Sequence, residues 1–194
     1  MQHLKSVDLL TLEAYARERA AIRARMIGYR AARRLEVGPN CTWSFEDRET
    51  VRYQVQEMLR TERVFEPAGI DEELAAYNPL IPDGRNFKAT LLIEYPDPAE
   101  RAQQLAALKG MERRCWIQIA GCERVYAVAD EDLERENEHK TSAVHFLRFE
   151  LSEAMARACK SGAAIAAGVD HEAYRHSVDP LPSPLCDALR ADLA

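Results

Sequence analysis

Charged side chains on the apolar faces of two helical stretches are the residues here best placed to do chemistry. Over residues 48–64, a step of about 100° per residue aligns Val51, Val55, Met58 and Leu59 in one stripe. Arg48 falls inside that stripe at the first turn and Glu62 near the last, while Glu57 and Arg60 point away. Over residues 9–32, Leu9, Leu12, Ala16, Ala20 and Ile27 share a face that also takes in Arg23 and Arg30. A charge turned toward a core needs a partner, because its desolvation is costly. Two arrangements meet that need. In one, the charges pair across elements, with Arg23 or Arg30 meeting Glu62, Glu57 or Glu46. In the other, Arg23, Arg30, Arg48, Glu57 and Glu62 surround a polar pocket. The guanidinium fork would there hold a phosphate or carboxylate.

The histidines are the second place to look. His145 lies in the alternating stretch Ala143-Val144-His145-Phe146-Leu147-Arg148-Phe149, on the face of Leu147 and Phe149. A histidine among apolar neighbours is ordinarily a hydrogen-bonded core residue. Its functional alternative is a metal ligand or proton carrier. His171 and His176 follow a strand end, where sites are often built. If His145 and His171 converge with a carboxylate, a metal ion is the cofactor they would hold. Five cysteines (Cys41, Cys115, Cys122, Cys159, Cys186) show no CxxC spacing, so reduced and mostly buried thiols are expected. Cys41 and Cys122, at turns, are the two to test as nucleophiles. No GxSxG, HExxH, phosphate-loop or dinucleotide GxGxxG motif occurs.

The elements that must position these groups read as follows. Ser6-Val7-Asp8 offers caps for the first helix, and Gly38-Pro39-Asn40 marks a turn before the β-rich Cys41–Phe45. Asp47 caps the helix at 48–64, which Phe65-Glu66-Pro67 breaks, and a short helix follows at 71–77. The loop at 78–84 divides a helical layer with a hairpin, residues 1–83, from a sheet region, residues 84–194. The two are expected to form one unit. In the second region strands are expected at 87–95, 114–119, 123–128, 143–151 and 163–169, with helices at 99–108 and 152–159. Residues 170–183 read as irregular before a terminal helix at 184–193. The acidic run at 130–140 reads as an exposed loop. This order predicts an α+β fold: a helical layer on a mainly antiparallel sheet of split βαβ, ferredoxin-like character.

A chain of 194 residues with 47% hydrophobic and 30% charged content can bury a core without staples. No run approaches a membrane span and no signal-peptide core opens the chain, so a cytoplasmic location without membrane attachment is expected. Between Tyr15 and Arg34 seven arginines face one glutamate; with a net charge of −6 overall, the rest of the chain carries −12. That acidity argues against general nucleic-acid binding. The basic helix would instead serve the chain's own acidic part, an acidic partner, or an anion; a homo-oligomer is a separate expectation.

Several long words in fixed order resemble a bacterial family, domain of unknown function number 3501. They are Leu35-Glu36-Val37-Gly38-Pro39-Asn40, Phe45-Glu46-Asp47-Arg48-Glu49-Thr50-Val51, and the stretches at 54–64, 72–82, 142–149 and 169–174. The resemblance spans most of the chain and includes Arg48, Glu57, Glu62 and His145, but assigns no residue a catalytic role. It implies a place beside rubrerythrin-like and iron–sulfur reductase-like genes. From it follows the first functional expectation: an accessory protein, without turnover of its own, to a rubrerythrin-like or iron–sulfur partner in redox, iron or peroxide handling. The second is an enzyme or sensor with a metal- or anion-binding pocket between helices and sheet.

Overall fold

Nine strands and six α-helices are found among the described residues. A computed structural model of the protein describes residues 2–131, 133, 135, 137 and 139–194. The acidic stretch at 130–140 lies partly outside them.

Strands β1 (Arg34–Glu36), β2 (Cys41–Glu46), β3 (Asn86–Ile93), β6 (Val128–Ala129) and β7 (Val144–Glu150) form a first sheet in the order β1-β2-β3-β7-β6. Strands β4 (Cys115–Ile119), β5 (Arg124–Tyr126), β8 (Ile165–His171) and β9 (Tyr174–Val178) form a second, β5-β4-β8-β9. Every ladder is antiparallel. The chain is therefore α+β, but not through the split βαβ arrangement, which needs parallel neighbours. Residues 124–129 pair first with β4 and then with β7, and the Ala127 N–H donates to the Cys115 carbonyl at 2.9 Å. This one stretch stitches the two sheets together. Strand β2, from the part read as the helical layer, pairs with β3 along six residues, so the two regions share a sheet.

The inner faces of the two sheets enclose the larger core. Trp43, Phe45, Phe87, Leu91 and Phe149 meet Ile117, Ile119, Ile165 and Val169 there, and Trp43 stacks on Phe149 at 5.4 Å. Helices α4 (Pro98–Ala107), α5 (Glu153–Lys160) and α6 (Ser183–Ala191) add Leu105, Cys159, Leu185 and Leu189.

A second core is wholly helical. Val51, Val55 and Leu59 of α2 (Arg48–Glu62) pack with Leu4, Ile81 and Leu74 of α3 (Pro67–Tyr77). Helix α1 (Leu12–Ala31) buries only Tyr15 and Met26 and is otherwise largely exposed. It starts at Thr11, whose hydroxyl accepts the Ala14 N–H, rather than at the expected Ser6–Asp8, which form a separate 3-10 turn. Pro67 opens α3 instead of ending α2: a missing N–H costs nothing at the first helical position. Strand β9 lies where an irregular stretch is expected.

Candidate functional site

A polar sheet face between two apolar cores is what shapes the candidate site. On the outer face of the first sheet the cross-strand rows are Glu46–Lys88–Arg148, Ser44–Thr90–Phe146 and Thr42–Leu92–Val144. Helix α2 spends its apolar stripe on α3 and the N-terminal segment, so it meets this face with polar side chains. Glu46 is buried; its carboxylate accepts the Thr50 hydroxyl at 2.6 Å, the Gln54 amide at 3.0 Å and the Thr90 hydroxyl at 2.7 Å. That contact pins α2 to the sheet. A cleft opens toward Leu92, and another toward Lys88.

The start of α2 is held by a second buried network. The Asp47 carboxylate accepts the Thr50 N–H at 2.8 Å and lies 2.7 Å from the Arg33 guanidinium. Arg33 also makes a bidentate pair with Asp192 at 2.8 Å, and the Tyr29 hydroxyl donates to Asp47. Burial opposes the Arg33 charge, but the bonds to Asp192 and the field of both carboxylates hold it protonated. Burial raises Asp192 above the ordinary aspartate range, against the pull of Arg33. Burial and the bond to Asp47 push the Tyr29 phenol up to about 12. This network fixes the end of α1 against α2 and the chain near Asp192.

The cleft toward Leu92 has a volume of about 640 Å³ and lies between α1, α2 and the sheet. Arg19, Arg23, Arg30 and Arg34 line it, with Glu57 as the one carboxylate, beside Tyr53, Ile27 and Leu92. Of the four guanidiniums, two have carboxylates within ion-pair distance and two, Arg23 and Arg30, do not among the described residues. Arg19 is spent on Glu57 in a fork of 2.8 and 2.7 Å, and the Tyr15 hydroxyl donates to the same carboxylate at 2.5 Å. The Arg19 bond, followed by the Tyr15 bond, draws the Glu57 carboxyl below its ordinary range. Burial and that carboxylate raise Tyr15. Arg34 donates to Thr42 at 3.3 Å and stands 3.7 Å from Glu36 and Glu94. Arg23 and Arg30 are exposed and have no hydrogen-bond or ion-pair partner among the described residues.

Of the residues singled out in the sequence, Arg23, Arg30 and Glu57 therefore share one cleft, although the expected ion pair is made by Arg19. Arg48 is elsewhere: it pairs with Asp8 at 2.8 Å and donates to the Gln2 carbonyl. Glu62 is exposed at the end of α2, away from the cleft lining. His145 is fully buried; its Nδ1 bonds Asp130 at 2.5 Å, and its Nε2 lies 2.9 Å from the Thr141 hydroxyl and 3.0 Å from the Ser142 carbonyl. His171 donates from Nε2 to the Lys109 carbonyl and accepts the Ala173 N–H at Nδ1. The two histidines stand in different sheets and share no partner among the described residues. Among the described residues, no three His, Cys, Asp or Glu side chains group as a metal site. All five thiols are free; four are buried and Cys122 is half-buried. Burial pushes the Cys41 thiol up to about 12, an environment for an inert thiol rather than a nucleophile. Sequence reasoning missed Arg19, Tyr53 and Arg34. The spacing Arg19, Arg23, Met26, Arg30 marks one face of α1 and was the available signal.

The family model described as protein of unknown function (DUF3501) matches residues 3–193, and the chain belongs to that family. It is similar, at 45% identity over 100% of both chains and a TM-score of 0.95, to a solved structure. That structure is described as a novel protein of unknown function from Burkholderia pseudomallei K96243. No curated protein matches. Among the described residues no helix is long and apolar enough to cross a membrane.

Proposed function

We propose that this member of the DUF3501 family binds an anionic small molecule, carrying carboxylate or phosphate groups, in the cleft between α1, α2 and the first sheet. One observation carries the reading: Arg23 and Arg30 line a roomy cleft, and no carboxylate among the described residues lies within ion-pair distance of them. Glu57 is spent on Arg19 and Tyr15, so it orients the neighbouring guanidinium rather than quenching the site. Tyr53, Ile27 and Leu92 supply apolar surface for the ligand's body. The role is that of a sensor or carrier. A thermal-shift and calorimetric screen with inorganic phosphate, citrate and nucleotides tests it. Ligand at a hundred times its Kd adds about 2.7 kcal/mol to stability. The double variant R23S/R30S, at two exposed positions, should fold normally and lose that gain. Equal stabilisation of wild type and variant would sink the proposal.

A second reading rests on Ile27, which is 65% exposed and lies between Arg23 and Arg30 on α1. An apolar side chain flanked by unpaired cations suits an acidic protein partner. The family resemblance suggests a rubrerythrin-like or iron–sulfur protein. Pull-down with such partners, repeated with Ile27→Asp, separates this role from small-molecule binding; a failure to retain any of them removes it.

A further inference from the structure

The other cleft on the same sheet face has a different chemistry. Its volume is about 440 Å³, and Tyr77, Pro79, Leu80 and Phe146 give it mainly apolar walls. Four charged residues reach it, and three are already satisfied. Arg148 holds Glu131 in a fork of 2.7 and 2.9 Å and takes Glu150 at 2.7 Å. The Glu46 carboxylate is held by Thr50, Gln54 and Thr90. The fourth is Lys88. Although it stands opposite both Glu46 and Arg148 in the ladders, its ammonium turns toward the 3-10 turn Asn78–Leu80 that follows α3 and donates to the Pro79 carbonyl at 2.5 Å. No carboxylate among the described residues lies within ion-pair distance of it. An ammonium has three donors; two of these have no acceptor among the described residues. Burial lowers the Lys88 pKa, helped by the field of Arg148 and opposed by those of Asp83, Glu131 and Glu150, none of which is in contact with the ammonium.

We infer that this pocket binds a small amphiphilic carboxylate, its apolar tail between Tyr77, Leu80 and Phe146 and its carboxylate on the Lys88 ammonium. Charge complementarity selects that class. An amine would set a second cation beside Lys88, and a neutral ligand would leave the lysine donors unanswered. A polyanion would meet Glu131 and Glu46 at the wall. The inference is independent of the arginine cleft, because Thr90 and its bond to Glu46 lie between Lys88 and Leu92 along β3.

The test uses octanoate, octylammonium and octanol as probes on the full chain, read by thermal shift and by chemical-shift perturbation. Octanoate should bind saturably, and the other two at least about tenfold more weakly. Lys88→Met should weaken octanoate to the same degree when read in the R23S/R30S background, where the arginine cleft no longer takes a carboxylate. Should Lys88→Met not fold, Ala76→Trp, at an exposed lining position of α3, fills the pocket and carries the test by blocking octanoate. No octanoate binding overturns the inference. So does octanoate binding that survives Lys88→Met or Ala76→Trp in that background, or octylammonium binding as tight as that of octanoate.

Discussion

Replacing Arg33 by Met removes a cation that two buried carboxylates, Asp47 and Asp192, share. Asp47 would keep the Thr50 N–H and the Tyr29 hydroxyl. Asp192 would keep no side-chain hydrogen bond among the described residues, since both it has there come from Arg33. A buried carboxylate stripped of its partner either remains charged at high cost or takes up a proton. The proton route sets a ceiling. With an ordinary aspartate pKa of about 3.9, protonation at pH 7 costs about 4 kcal/mol. Breaking buried ion pairs costs about 3–5 kcal/mol, which agrees. For a chain of this size that corresponds to a fall in Tm of roughly 8–16 °C. The sign with pH follows from linkage. The folded variant holds a proton that the unfolded chain releases above about pH 4, so the loss shrinks by about 1.4 kcal/mol for each unit of acidification. Urea melts of wild type and variant at pH 7, 6 and 5 read this directly. Asp192→Asn in the variant background should restore most of the loss. A cost below about 1 kcal/mol at pH 7, or one that does not change between pH 7 and 5, would refute this account of the network.

Three further outcomes are expected. Glu57→Gln should narrow the stability window on one side: the Glu57 carboxyl is held below its ordinary range, so its contribution is present at neutral pH and lost as pH falls through its folded value. Denaturation of wild type and variant should therefore differ at pH 7 and converge in acid. Gly168→Ala would place a methyl 2.6 Å from the Trp116 ring and 2.7 Å from the His176 carbonyl. Since a backbone oxygen cannot turn aside, a loss of about 1–3 kcal/mol is expected in urea melts. His145→Ala should cost about 3 kcal/mol or more by the same measurement, because it opens a hole in the core and deprives Asp130 of a donor.

Much of the fold was legible because local chemistry agreed with tertiary placement. The 48–64 helix with its Asp47 cap, the Gly38-Pro39-Asn40 turn and the alternating 143–151 strand all carried their own signal. Strand β9 did not: residues 175–177 are all exposed at a sheet edge, so no apolar alternation marks them. The topology was equally hidden. A list of strands does not say that residues 124–129 change sheets midway, and that crossing is what replaces a ferredoxin-like sheet by two joined ones.

The candidate site was half legible, and the reason lies in what a helical wheel assumes. Counting charges against an apolar stripe treats a helix as an endless cylinder with one core beside it. Helix α2 contacts its helical core only through its middle turns, so Arg48 at one end escapes to Asp8 and Glu62 at the other to solvent. The consequential polar residues lie on its flank instead. Thr50, Gln54, Tyr53 and Glu57 face a sheet whose other side is fully engaged with a second sheet. Because α2 has committed its apolar stripe to α3 and the N-terminal segment, it can cover that sheet only by hydrogen bonds, and hydrogen bonds hold at points rather than along a surface. The space on either side of the Glu46 contact follows from this division. Arg23 and Arg30 project into one such space, and Lys88 into the other. The places where charge is left without a partner are thus set by where two hydrophobic cores fail to merge.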